Sequence, residues 1–307
     1  MNSNIFLGSF EKVLRHRKTN VPEFGEQNAT LELLKSSVLV AFSGALRIHL
    51  AFLLLHITSS LLTCFAGGLV IYTVYTLDRA LESAEDSVNR KELNGSKREV
   101  ALAVSLLAFV IGVFILAKEG LCALAFLPFI TGYLYSKGIN FGKFSLKLKG
   151  GLGVKNLVVG ATWGIFIAGL AGGSSTHMLP VILVFAFFGI KLFINSAIYD
   201  FKDVKGDTLA GIRTLPVALG EQNTRNLLIT LHLTSHMVLG VALIQGLVAF
   251  EPLILLYSFV CGLMCIENYT RTEEEELPFR KLERTFMVDG ESTSIVGLRA
   301  VAGAFLA

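Results

Sequence analysis

The sequence predicts an all-helical protein that crosses a membrane about nine times, and three observations carry that prediction. Of the 307 residues, 53% are hydrophobic and only 17% charged, with a mean hydropathy of +0.62. The apolar residues come in blocks of about twenty, the length a helix needs to cross ~30 Å of hydrocarbon. The basic residues gather in every second connection between those blocks. Backbone polar groups in lipid must be satisfied within a helix or a closed barrel, and blocks of this length read as helices. This composition excludes a soluble enzyme, a secreted disulfide scaffold and a disordered chain. The formal net charge of +3 gives no reason to expect a nucleic-acid partner.

Residues 1–32 read as a cytoplasmic arm, because MNSNIFLGSFEKVLRHRKTN has no long apolar core followed by a small-residue cleavage site. Residues 33–307 read as one transmembrane domain. Its expected spans are 33–54, 57–80, 99–117, 119–137, 153–171, 177–199, 225–246, 250–267 and 287–307. Pro128 and several glycines interrupt the fourth and fifth, and the last is short and carries Glu291 and Arg299.

The arm holds Lys12, Arg15, Arg17 and Lys18. The even connections hold Arg90, Lys91, Lys97 and Arg98, then Lys143, Lys147 and Lys149. They continue with Lys202, Lys205 and Arg213, then Arg271, Arg280, Lys281 and Arg284. The odd connections are nearly bare, Lys118 being their clearest basic residue. This asymmetry predicts a multi-pass protein of the cell membrane with its N-terminus and even connections in the cytoplasm. An odd number of spans then leaves the C-terminus outside.

Cys64, Cys122, Cys261 and Cys265 fall in or beside apolar blocks and read as small buried hydrophobes. Cys261 and Cys265 share a helix face, but no His or third Cys joins them, which argues against zinc. His49, His56, His232 and His236 are assigned to helix packing or interfaces. The pairs Gly67 and Gly68, Gly160 and Gly164, and Gly172 and Gly173 are assigned to close helix contacts or turns.

Two acidic ladders carry the chemistry. In YTVYTLDRALESAEDSVNRKE, Asp78, Glu82 and Asp86 recur every fourth residue and drift only slightly around one helical face. Asn89 follows one turn later. Acids stacked this way repel one another, so a cation is expected to offset them. In KLFINSAIYDFKDVKGDTLAGIRTLPVALG, Lys191, Asn195, Tyr199, Asp203 and Asp207 form a second ladder, with Asp200 flanking it. Lys191 and Asn195 lie near hydrocarbon depth, where polar side chains usually line a cavity. Gly206 allows the helix to loosen or end, with Asp207 on a turn.

Both ladders leave their spans on the same membrane side. Two facing acid-rich helices can hold two or three Mg²⁺ ions through oxygen, the coordination being completed by water and substrate phosphate. A diphosphate head at the rim with an apolar tail among the helices fits such a site. A carboxylate ladder can also pass protons or cations in a transporter, but these acids sit at span ends and show no half-and-half repeat.

At this level the chain resembles the UbiA superfamily of intramembrane prenyltransferases, and its second ladder looks closer to the archaeal-type members. DRALESAED places Asp78, Glu82 and Asp86 on the family's first motif, with Asn89 as its downstream Asn. DFKDVKGDTLAGIRTLP places Asp203 and Asp207 on the second, with Asp200 as an extra acid. Gly211, Thr214, Leu215 and Pro216 match the motif's tail, and the nine-span layout matches along nearly the whole chain. Three departures stand out. Glu82 replaces the usual middle Asp, the Arg-Pro near the first span is missing, and Asn195 stands where some archaeal-type members have Arg.

The resemblance implies a helical bundle whose central cavity is capped by cytoplasmic loops. It implies Mg²⁺-dependent prenyl transfer from a polyprenyl diphosphate to an aromatic or lipid-like acceptor, by ionisation of the allylic diphosphate. Asp78, Glu82, Asp86, Asp203 and Asp207 would hold the metal, with Asp200 a ligand or an orienting group. Lys155, Lys191, Lys205, Arg213 and Asn89 are the candidates to meet the diphosphate, and Asn195, Tyr75 and Tyr199 extend the ladders toward substrate. Tyr135 and Ser136 match the family's Tyr-Ser end of the fourth span. The loop Arg271 to Glu291 is a candidate cap. The acceptor stays open between lipid and quinone pathways, and no obligate protein partner is expected. A cation-coupled transporter and a non-catalytic isoprenoid-binding scaffold are the competing readings.

Overall fold

The computed structural model describes residues 23–81, 97–136, 139–141, 144–146, 153–173, 175–209, 211–271 and 278–306. Among them, seven helices are long and apolar enough to cross a membrane by length and composition. Helix α1 (Glu23–Lys35) leads through a short turn into α2 (Val38–Leu54), and 29–54 together count as the first span. Helix α3 (Leu61–Ala80) starts at Ser60, whose hydroxyl accepts the Thr63 amide at 3.2 Å. That bond satisfies one of the amides a helix start leaves open. Helix α4 (Arg98–Lys118) and the shorter α5 (Cys122–Ser136) follow, the latter with Pro128 inside it.

A small antiparallel hairpin interrupts the helical order. Strands β1 (Ile139–Phe141) and β2 (Phe144–Leu146) pair with Ile139 opposite Leu146 and Asn140 opposite Ser145. Helices α6 (Val154–Gly172) and α7 (Met178–Leu209) come next, then the short α8 (Leu215–Leu219), α9 (Glu221–Ile244) and α10 (Pro252–Tyr269). The chain ends in α11 (Pro278–Arg284), a π-helical turn over Thr285–Asp289, and α12 (Glu291–Leu306). The expected fourth and ninth spans are thus α5 and α12, of 15 and 16 residues. Both are shorter than a full crossing and still take their places in the bundle.

The helices close into a ring. Helix α2 packs on α3, α3 on α5, α5 on α6 and α6 on α7. Helix α7 meets α9 and α10, α10 meets α12, and α12 returns to α2. The most extensive contact is α6 on α7, and glycine makes it possible. A Cβ on Gly160 would lie 2.5 Å from the Gly189 carbonyl oxygen, and one on Gly164 would lie 2.9 Å from the Gly189 Cα. The two backbones touch, as in small-residue helix crossings in membranes. The main core runs inside the ring through Ile48, Val70, Phe166, Ile167, Phe187 and Phe188. A second core joins Ile198, Phe201, Leu228, Ile266 and Val288. The outer faces stay apolar: Leu107, Phe114, Met237 and Ile244 are all exposed. An apolar belt of this kind is what lipid covers.

Helix α7 has 32 residues. At 1.5 Å per residue it is ~48 Å long against ~30 Å of hydrocarbon, so its last turns project past the membrane core. It runs through Gly206 without breaking, and Asp207 is helical. One glycine weakens a helix by only about 1 kcal/mol. The Thr208 hydroxyl also donates back to the Val204 carbonyl at 2.7 Å across that turn.

Candidate active site

The acids of the second ladder occupy the projecting end of α7. Asp200 is fully buried where α7 leaves the bundle. Lys155, on the first turn of α6, donates to its Oδ1 at 2.6 Å. Asn156 donates to its Oδ2 at 2.8 Å and to the Ser196 hydroxyl at 3.1 Å. Both carboxylate oxygens of Asp200 are therefore engaged by α6, and its charge is offset by Lys155. This arrangement orients Lys155 and ties the two helix ends together.

One turn further out, Asp203 is half-buried and has Lys202 at 3.4 Å. Asp207 is half-buried too, and its Oδ2 is buried without a hydrogen-bond partner. Lys155, Asp203 and Asp200 all lie near enough for their charges to act on it. A buried carboxylate oxygen left without a donor is a position a cation would satisfy. The donor set is oxygen only, which suits Mg²⁺ and not a soft metal. Asp78, on the last turn of α3, is half-buried. Glu82, Asp86 and Asn89 lie outside the described residues. Among the described residues alone, no three His, Cys, Asp or Glu side chains gather to hold an ion.

The inner half of the second ladder has a different environment. Lys191 pairs with Glu291 at 2.7 Å and reaches the Ser258 carbonyl at 3.4 Å. Asn195 donates to the Val288 carbonyl at 3.1 Å. The Tyr199 hydroxyl donates to Asp289 Oδ2 at 2.6 Å, and the Arg284 guanidinium sits 4.9 Å from the Tyr199 ring centroid. Three successive rungs thus bind one segment, 284–291, whose π-helical turn aims its groups at α7. Burial changes the meaning of these contacts. Lys191 and Glu291 are both under a tenth exposed, so neither can fall back on water.

Of the other expected site residues, Tyr75 stacks on Trp163 with ring centroids 5.7 Å apart and planes 18° off parallel. Lys205 and Arg213 are exposed. Tyr135 and Ser136 end α5, and their side chains lie outside the described residues. His232 and His236 are packed within the bundle, as expected. His236 Nδ1 meets the His232 carbonyl at 2.9 Å and His232 Nε2 meets the Phe259 carbonyl at 3.0 Å. A carbonyl only accepts, so those two nitrogens carry the protons. Cys261 and Cys265 are buried free thiols.

Several polar residues at the site were not singled out from the sequence. Asn156 shares Asp200 with Lys155, and Asp289 and Glu291 cap the inner ladder. Arg47, midway along α2, is only 6% exposed and lines a cavity with Tyr75, Trp163, Ile167 and Leu192. Its signal was a lone charge within the apolar stretch Val38–Leu54, where a polar side chain usually lines a cavity.

The two acid-bearing ends lie at the same end of the ring. Arg79, next to Asp78, hydrogen-bonds the Ser37 hydroxyl at 2.6 Å, and its charge reaches Asp289, the partner of Tyr199 on α7. Known proteins share the fold. A UbiA homologue from Archaeoglobus fulgidus superposes with a TM-score of 0.58 at 15% identity, covering 88% of this chain and 99% of that one. The same homologue bound to DMAPP and Mg²⁺ gives 0.57 at 14% identity, covering 87% and 99%. At such identities the likeness establishes the fold alone. The digeranylgeranylglyceryl phosphate synthase of Sulfolobus acidocaldarius is 28% identical over 167 residues, which is 52% of this chain. The match spans about half, 54%, of that curated relative. The model of the UbiA prenyltransferase family matches residues 36–286, from the start of the first span to the π-helical turn. The chain is an integral membrane protein and belongs to the UbiA prenyltransferase family.

Proposed function

We propose that the chain transfers a prenyl group from a prenyl diphosphate to an acceptor inside the membrane. The observation that best supports this is the placement of Asp78 on α3 and of Asp203 and Asp207 on α7 at one end of an apolar ring. A diphosphate head would sit at that end and its hydrocarbon tail would run inward. Mg²⁺ held by Asp78, Asp203 and Asp207, with Glu82 and Asp86, would supply neutralising charge to the diphosphate as the allylic C–O bond ionises. Asp200 holds Lys155 at the rim, where an ammonium can meet the leaving group. The apolar helices around the allylic cation keep water away until the acceptor captures it. The name of the Sulfolobus relative favours a lipid acceptor with a glyceryl phosphate head. The distribution of basic residues favours a cytoplasmic acid end.

The test uses the full chain in detergent with Mg²⁺, radiolabelled geranyl, farnesyl or geranylgeranyl diphosphate, and a mixed pool of acceptors. Label is expected to move into a lipid-soluble product. EDTA should abolish transfer, and Asp78→Asn or Asp203→Asn should slow it about 100- to 1000-fold. Absence of both Mg²⁺-dependent donor binding and turnover, with all three donors, would sink the reading in favour of a transporter.

A further inference from the structure

We propose that Asp289 is the base of the transfer step and takes the hydroxyl proton of the acceptor as the prenyl group is captured. The proposal rests on the prenyl-transfer reading and adds a catalytic residue to it.

The place of Asp289 follows from its neighbours. It ends the π-helical turn Thr285–Asp289 that leads into α12. The Tyr199 hydroxyl on α7 donates to its Oδ2 at 2.6 Å. Its charge acts on Tyr75 of α3, and the charges of Arg47 on α2, Arg79 on α3 and Arg284 on α11 act on it. Asp289 therefore stands between the wall that α2 and α3 build and the wall that α7 builds. Val288, Gly290 and Glu291 beside it in the chain are buried, whereas Asp289 is only half-buried. With groups of α2, α3, α7 and α11 about it, that remaining surface opens inside the ring.

Its depth suits the chemistry. Tyr199 is four residues inward of Asp203, ~6 Å along α7, and Tyr75 is three residues inward of Asp78, ~4.5 Å along α3. Asp289 is thus about one turn inside the proposed metal ligands on both helices. A diphosphate held at the metal end would turn its allylic carbon to that inner side, so the acceptor oxygen has to arrive at the same level.

Other carboxylates of the bundle are committed. Asp200 is held by Lys155 and Asn156, Glu291 by Lys191 and Glu251 by Arg299. Asp78, Asp203 and Asp207 are the proposed metal ligands. Among the described residues Tyr199 is the one hydrogen-bond donor to Asp289, which leaves Oδ1 for a second proton donor. Burial pushes the Asp289 carboxyl above its ordinary value, while the Tyr199 hydrogen bond and the three guanidinium groups hold it back. Such a balance lets one group be ionised before transfer and protonated after it. In the step, the allylic C–O bond breaks and its electron pair leaves on the diphosphate. The acceptor oxygen forms the new C–O bond, and its proton passes to Asp289 Oδ1. Tyr199 is a positioning residue that fixes the other oxygen.

The experiment counts two products in one tube. The full chain in detergent receives Mg²⁺, radiolabelled geranylgeranyl diphosphate and an isoprenoid glyceryl ether phosphate with a free hydroxyl. Diphosphate released and ether formed are both measured, and their ratio does not depend on how much protein is folded. The wild type is expected to form about one ether per diphosphate. Asp289→Asn should still bind donor and release diphosphate with Mg²⁺, but its label should end in prenyl alcohol. Its ether yield per diphosphate should fall about 100-fold, the scale of a lost general base. Asp289→Glu, which keeps a carboxylate, should restore part of the ratio, and Tyr199→Phe should fall between wild type and Asp289→Asn.

A wild-type ratio in Asp289→Asn would overturn the proposal and leave prenyl transfer intact. Loss of diphosphate release together with ether formation in that variant would also overturn it, by placing Asp289 in support of the metal end. Wild-type release without transfer to the hydroxyl would reject a hydroxyl proton as the one removed. No Mg²⁺-dependent release by the wild type would sink the prenyl-transfer reading and this proposal with it.

Discussion

Among the described residues, Arg47 and Lys191 are the two buried cations within candidate membrane spans, and they are treated differently. Lys191 is matched by Glu291 at 2.7 Å and belongs to a continuous polar network. Ser258 links it to His236 at 2.9 Å, and the two histidines bond backbone carbonyls in turn. Arg47 lines a small cavity with Tyr75, Trp163 and Leu192, and its Nε is buried without a hydrogen-bond partner among the described residues. The difference teaches what buried charge can be for. A charge closed off by protein groups fixes one helix against another. Arg47 shares the charge of Asp289 with Arg79 and Arg284, so no single partner fixes it.

Mutations on the Lys191 side test that closure, because each should destabilise the fold. Glu291→Gln leaves the Lys191 ammonium buried beside a neutral amide. It should cost about 3–5 kcal/mol of stability, read from denaturation in detergent. Replacing both Lys191 and Glu291 by Met should recover most of that loss. If the double variant is no more stable than the single one, the pair is not an isolated couple. Tyr199→Phe removes a hydrogen bond to the Asp289 carboxylate and should cost about 1.5–3 kcal/mol in the same assay. The smallest effect is expected from Ser258→Ala, which deprives His236 of one neutral bond, about 1 kcal/mol. A Ser258→Ala loss as large as that of Glu291→Gln would mean the network acts as one unit.

Much of this was legible in the sequence. The long spans follow from runs of apolar residues alone, and the acids on α7 sit at the helix end that their position after the sixth block implied. The hairpin was hidden inside a basic connection, although INFGKFSL alternates in the way a strand does. The ladder from Lys191 to Asp207 lies on one continuous helix, but each i+4 step turns it by about 40°, so its two ends face different neighbours. Spacing cannot say what a face looks at. The partners of its inner rungs lie some ninety residues onward, in 288–291, brought there by α12 closing the ring. For Arg47 the signal was present as a single charge among Val38–Leu54, but its burial is a property of four helices together.

The glycine crossing of α6 on α7 has a mechanical meaning. Gly189 is the point where the two backbones touch, and Asp207 lies eighteen residues further along the same rigid rod. That is a lever of ~27 Å. A tilt of only about 3° at the pivot would swing the far carboxylate by roughly 1.4 Å, and shifts near 1 Å can change a rate by about a hundredfold. Lys155 grips Asp200 partway along that arm, with Asn156 beside it. The bond works as a brace, holding the long arm of the lever still above the pivot that Gly160, Gly164 and Gly189 provide.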